Sequence, residues 1–129
     1  MQIYVSEGIT MDEFILIKSI MLANSKYFLA VFCFYLIDFM TGFAKAIKNK
    51  NISSGKLRRS VSKALEYIAF LFVGVVAVYL FNAEYAVNLI AISLCGVEFT
   101  SICENAKETG FKFPEKIIAL FNRKEDGGE

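Results

Sequence analysis

At 129 residues, with 56% hydrophobic residues, one proline and no tryptophan or histidine, the chain is too short to enclose its Ile, Leu, Val and Phe residues in a water-soluble core. A bilayer suits it better as solvent. The net charge of +1 conceals an asymmetry, because seven Lys or Arg and no acid lie between residues 45 and 63. Apolar runs flank that basic patch on both sides, which argues against nucleic-acid binding by a soluble domain.

Residues 1 to 9 are short and polar and lack the basic segment and apolar core of a cleaved signal peptide, so internal segments are expected to drive insertion. Thr10 and Glu13 have the spacing of a capping box, which predicts a helix from Met11. Most positions from Phe14 to Ala23 are apolar, while Asp12, Ser19 and Lys26 recur at seven-residue intervals along a narrow polar strip. The segment 10–24 is too short to cross ~30 Å of hydrocarbon at ~1.5 Å per residue. It reads as an amphipathic helix lying in the interface or packed on a neighbour, with a plain extension of the first span as the alternative. Asn24-Ser25-Lys26 is the expected break.

Residues 27–46 have the length of a first transmembrane helix. Asp38, Thr41, Gly42 and Lys45 stand at i, i+3, i+4 and i+7 on one face. Gly42 would let a neighbouring helix approach closely. Residues 47–63 form a basic hairpin carrying Lys48, Lys50, Lys56, Arg58, Arg59 and Lys63, with its turn at residues 49–55. Its charge assigns it to the cytoplasm.

The second span is 64–81, with Glu66 placed for a helical ion pair with Lys63. Ala69, Gly74 and Ala77 suit helix packing. Residues 82–85 form a short outer turn and 86–103 a third span, which returns inward. Glu98, Ser101, Ile102 and Asn105 repeat the polar i, i+3, i+4, i+7 line. Residues 104–129 are a cytoplasmic tail, in which Gly110 stops the helix and Pro114 starts a short one with Ile117, Leu120 and Phe121 on one face. The predicted fold is therefore an all-α integral membrane protein with three transmembrane helices, an N-terminal amphipathic helix and a short C-terminal cytoplasmic helix. Its N-terminus is outside and its C-terminus cytoplasmic.

The two polar lines lie at matching depth in helices that run the same way. They invite two interpretations: the acids pair with Lys45, Arg58, Arg59 or Lys63 and tie the helices together, or they face water in a homo-oligomer. Cys33, Cys95 and Cys103 are odd in number and lack metal spacing. With no histidine, no nucleophile–base pair and no phosphate loop, the sequence offers no catalytic, cofactor-binding or metal-binding residue.

The run Asp38-x-x-Thr41-Gly42-x-x-Lys45-Ala46, then Ser53-Ser54, Arg58-Arg59 and Lys63, and finally Glu98-x-x-Ser101-Ile102-x-Glu104-Asn105 before Gly110 and Pro114, resembles bacteriophage holin family 4, the phage-lysis and toxin-secretion holins. The similarity covers roughly residues 27 to 120 and departs at Ser60, where glycine is expected. The resemblance implies a small multi-pass protein of the bacterial cytoplasmic membrane that forms a homo-oligomer among membrane lipids and permeabilises the membrane for an endolysin or an exported toxin. The residues themselves leave two other classes open: a non-lytic scaffold or regulator, and a small ion channel subunit.

Overall fold

The computed structural model describes residues 8–110 and 119–120, and all regular structure among them is helical. Four helices follow one another: α1 Met11–Ala23, α2 Ser25–Lys48, α3 Ser54–Phe81 and α4 Ala86–Glu108. The predicted C-terminal helix lies outside the described residues except for Ala119 and Leu120, which are helical.

The capping box at the start of α1 is formed. The Thr10 hydroxyl accepts from the Glu13 amide at 3.3 Å, and the Glu13 carboxylate accepts from the Thr10 amide at 2.8 Å, so two otherwise orphaned donors are satisfied. Ile17 and Ile20 turn toward the bundle core. Phe14, Ile15, Leu16 and Leu22 remain exposed alongside Asp12, Lys18 and Ser19, so apolar side chains surround this helix instead of forming one stripe. Asn24 alone separates α1 from α2, at the break that the sequence predicts.

The long helices have 24, 28 and 23 residues, and each contains a window apolar enough to cross a membrane. At ~1.5 Å per residue, each exceeds the ~30 Å of a hydrocarbon core. Large apolar residues such as Leu29, Phe32, Met40, Phe70, Phe72 and Ile92 face outward, as lipid-facing positions do. The interior is slim: Val31 of α2, Leu71 and Val75 of α3, and Val87 and Ala91 of α4 are buried together. Gly74 sets the α3–α4 spacing, since a Cβ there would meet the Val87 Cα at 3.2 Å and the Ile90 Cδ1 at 3.1 Å. Ala77 is half-buried and Ala69 is exposed.

The basic segment differs from the predicted hairpin. Only residues 49–53 are non-helical, and α3 starts ten residues before the predicted span. Ser53 caps it, its hydroxyl accepting from the Lys56 amide at 3.4 Å. Lys56, Arg58, Arg59 and Lys63 are therefore helical residues held in register with the span that follows. A run of charge suggests a loop, but long basic side chains are good helix formers that extend a span beyond the hydrocarbon. Between α3 and α4, residues 82–85 make the predicted turn, with Asn82 left-handed at φ 51°. Helix α4 runs five residues beyond its predicted end and stops where Gly110 takes φ 84°, the left-handed conformation that glycine reaches without strain.

Candidate functional site

Helices α2 and α4 run in the same direction and α3 runs against them, so the polar lines of α2 and α4 meet along their cytoplasm-predicted halves, with Lys63 of α3 entering from the side. The Lys63 Nζ lies 2.8 Å from Asp38 Oδ2 and 2.7 Å from Glu98 Oε1. One ammonium thus joins all three long helices.

Glu98 is completely buried, and a carboxylate taken out of water without partners would be very costly. Here it accepts from Lys63 and from the Tyr67 hydroxyl. Asp38 accepts from Lys63 and, at 3.2 Å, from the Asn105 side-chain amide, while the half-buried Ser101 lies near the same carboxylate. The Asn105 amide also donates to Thr41 Oγ1 at 3.4 Å, and the Thr41 hydroxyl donates to the Asp38 carbonyl at 3.0 Å. Gly42 makes room for this contact: a Cβ there would lie 3.4 Å from Asn105 Nδ2. Among the described residues no buried side-chain nitrogen or oxygen lacks a partner.

The remaining predicted residues divide by position. Lys45 leaves the Asp38 cluster and pairs with Glu108 at 2.9 Å, and Lys48 donates to the Glu108 carbonyl at 3.2 Å. Lys56 donates to the Asn51 carbonyl at 3.0 Å. Lys50, Arg58 and Arg59 form no ion pair among the described residues. The expected Lys63–Glu66 pair is absent because Lys63 turns inward. Glu66 is exposed and accepts only a long 3.4 Å bond from Ser62 one turn away. The inward rotamer wins because it neutralises two partly or wholly buried carboxylates, whereas Glu66 is exposed and leaves no buried charge behind.

Sequence reasoning missed Tyr67 as the second partner of Glu98. It also missed Tyr35, whose hydroxyl donates to the Ser60 carbonyl at 3.0 Å. Tyr67 stands one turn after Lys63 on α3, and that both reach Glu98 becomes visible only once α3 and α4 are set antiparallel. At the opposite end of α3, the Tyr79 hydroxyl donates to Glu13 at 3.0 Å. The Thr10 backbone amide, together with Tyr79, holds the Glu13 carboxyl below its usual range.

Among the described residues no group of His, Cys, Asp or Glu is placed to hold a metal ion, and Cys33, Cys95 and Cys103 are free thiols. The arrangement is a three-helix polar clamp. It satisfies both predicted polar lines inside a single chain, so those lines do not by themselves call for a second copy.

Comparison with curated proteins and with solved structures finds no match. The bacteriophage holin family matches residues 16–125, a range that takes in α2, α3, α4 and every residue of the clamp. Three membrane-spanning helices joined by a buried Asp–Lys–Glu bridge, within a sequence that fits this family over most of its length, make the chain a multi-pass membrane protein belonging to the bacteriophage holin family.

Proposed function

We propose that the protein acts as a holin: it accumulates in the bacterial cytoplasmic membrane, self-associates there and permeabilises it, so that an endolysin or an exported toxin can cross. The basic turn and first turns of α3 lie on the cytoplasmic side, which leaves the N-terminus and residues 82–85 outside and the C-terminus inside. Helix α1 rests in the outer interface against α3.

The observation that carries this reading, beside family membership, is a polar face that the clamp leaves uncovered. Glu66 and Ser62 on α3, and Ser93, Gly96, Thr100 and Glu104 on α4, are all exposed. The α4 residues follow steps of three and four and share one side of the helix. Phe70, one turn from Glu66, and Ser93 line the same cleft, which puts the two helical faces side by side. An ionisable group in a spanning helix normally faces protein or water. In a single copy Glu66 faces neither of the other two long helices, and association of several copies provides a wet interior for it. The Ser93 and Thr100 hydroxyls already donate to carbonyls one turn back, at 2.8 and 3.0 Å, so they tolerate either lipid or a lumen.

The experiment is induced expression with a co-expressed cytoplasmic endolysin. Membrane potential should collapse and the enzyme should reach the wall, and Glu66→Gln should change the timing of that event and the size of crosslinked oligomers more than Glu84→Gln in the outer turn. Continued growth with intact potential and retained enzyme would count against the holin reading. It would favour the second one, a non-lytic membrane scaffold or regulator, which is supported by the complete internal satisfaction of Asp38 and Glu98. Discrete single-channel currents without protein release would instead indicate a narrow ion channel.

A further inference from the structure

The clamp and the uncovered polar face leave one cavity unassigned. It has a volume of about 320 Å³ and lies between α2 and the start of α3, lined chiefly by Phe39, Phe43, Ile52 and Leu57, with Ser53 and Lys56 at the turn end. Its walls are mostly apolar, yet it opens beside the most basic part of the chain. Lys50, Arg58 and Arg59 have no ion-pair partner among the described residues, and Lys56 donates only to a backbone carbonyl, so its charge is not neutralised. No acid occurs from residue 45 to residue 63.

A ligand matching both features must combine an apolar chain with a negative head. A soluble anion would leave the aromatic and leucine walls unused. A zwitterionic lipid brings its own cation and gains less from the uncompensated charge. Basic pockets between transmembrane helices at the membrane edge are suited to anionic headgroups. We propose that one anionic phospholipid from the adjacent leaflet docks here, an acyl chain against Phe39, Phe43 and Leu57 and its phosphate beside Lys56 within the field of Lys50, Arg58 and Arg59. This requires only that the long helices span a bilayer and does not rest on the holin reading.

The site has a structural neighbour of consequence. Asp38 and Asn105 border the same cavity, so the bound chain lies next to the carboxylate that Lys63 bridges to Glu98. Lipid occupancy and the clamp are therefore adjacent along α2.

The test equilibrates the purified full chain with equal amounts of phosphatidylglycerol and phosphatidylcholine of identical acyl composition and counts retained lipids by native mass spectrometry. One phosphatidylglycerol should be retained in preference, and Lys56→Gln should lower that preference about fivefold, the effect of one cation near a membrane surface. Ser60→Leu, which fills the cavity from α3, should abolish retention. As a second measurement, a Phe43→Trp reporter should be quenched more strongly by brominated phosphatidylglycerol than by brominated phosphatidylcholine. Equal retention and equal quenching by the two lipids would overturn the proposal. So would a preference that survives Lys56→Gln and Ser60→Leu but disappears in Arg58→Gln/Arg59→Gln, because that places the lipid on a diffuse basic surface.

Discussion

Around Val31, Leu71, Val75, Val87 and Ala91 the three long helices meet through apolar side chains, whereas about two turns further along α2 they meet through Asp38, Lys63, Tyr67, Glu98 and Asn105. The two halves of one bundle thus solve the same problem differently. Lipid is as apolar as valine, so the half around Val75 and Val87 gains little from burial and holds by close packing. In the half that holds the clamp, Asp38, Lys63 and Glu98 have few places to go, and the arrangement that joins them specifies which helix faces which. The teaching is that packing sets how near the helices come, while the charges set their order and register.

Removing the cation should break that comparison most severely. Lys63→Met leaves Asp38 and the fully buried Glu98 without the ammonium they share, and loss of one partner from a buried ion pair costs about 3–5 kcal/mol. Thermal unfolding in detergent should show a large loss for Lys63→Met and a change within about 0.5 kcal/mol for Arg58→Met, which removes the same charge from a residue without an ion pair. Adding Asp38→Asn and Glu98→Gln to Lys63→Met should recover most of the loss. Parental stability in Lys63→Met alone would show that the clamp does not hold the helices.

A glycine pair probes packing on its own. Gly74→Ala brings a Cβ within 3.2 Å of the Val87 backbone, a contact that only a helix shift can relieve, so a cost of about 1–3 kcal/mol is expected. Gly96→Ala meets no atom within 4 Å and should stabilise the detergent-solubilised protein by up to about 1 kcal/mol through helix propensity. Comparable effects of the two substitutions, in either direction, would mean that the α3–α4 approach at Gly74 is not a constraint.

Much of this architecture is legible in the sequence, and what escapes it has physical reasons. Helix periodicity placed Asp38, Thr41, Gly42 and Lys45 on one side and Glu98, Ser101 and Asn105 on another, and the equal depth of the two lines follows from chain direction alone. What one-dimensional spacing cannot supply is the rotation of α3 about its axis, which decides whether Lys63 reaches its own-helix neighbour Glu66 or the two acids across the bundle. The start of α3 escapes the sequence for a related reason. The basic residues 56–63 are hydrophilic enough to end an apolar window, yet nothing in Lys, Leu, Arg or Val breaks a helix, and the turn signal at Asn49, Asn51 and Ser53 is confined to five residues.

The two ends of the bundle offer the finest comparison, since each turn places a non-glycine residue in the left-handed region: Lys50 at φ 52° between α2 and α3 and Asn82 at φ 51° between α3 and α4. At the α2–α3 turn the Asn51 amide donates to the Ala46 carbonyl at 2.9 Å and the Lys50 amide to the Ile47 carbonyl at 3.1 Å, the paired bonds of a Schellman motif with lysine where glycine is usual. A left-handed conformation costs an ordinary L-residue roughly 1–2 kcal/mol, whereas the short polar side chain of asparagine eases it. Lys50→Gly should therefore raise stability by about 1 kcal/mol after its larger unfolded-state entropy is deducted. Lys50→Asn should fall between parent and glycine, and Asn82→Gly should gain less than Lys50→Gly. Because Lys50→Asn and Lys50→Gly both remove the charge, the difference between them reads the backbone alone. A larger gain at Asn82 than at Lys50 would indicate that the cation at the α2–α3 turn contributes more than its backbone conformation costs, and would shift the balance at that end of the molecule from geometry to charge.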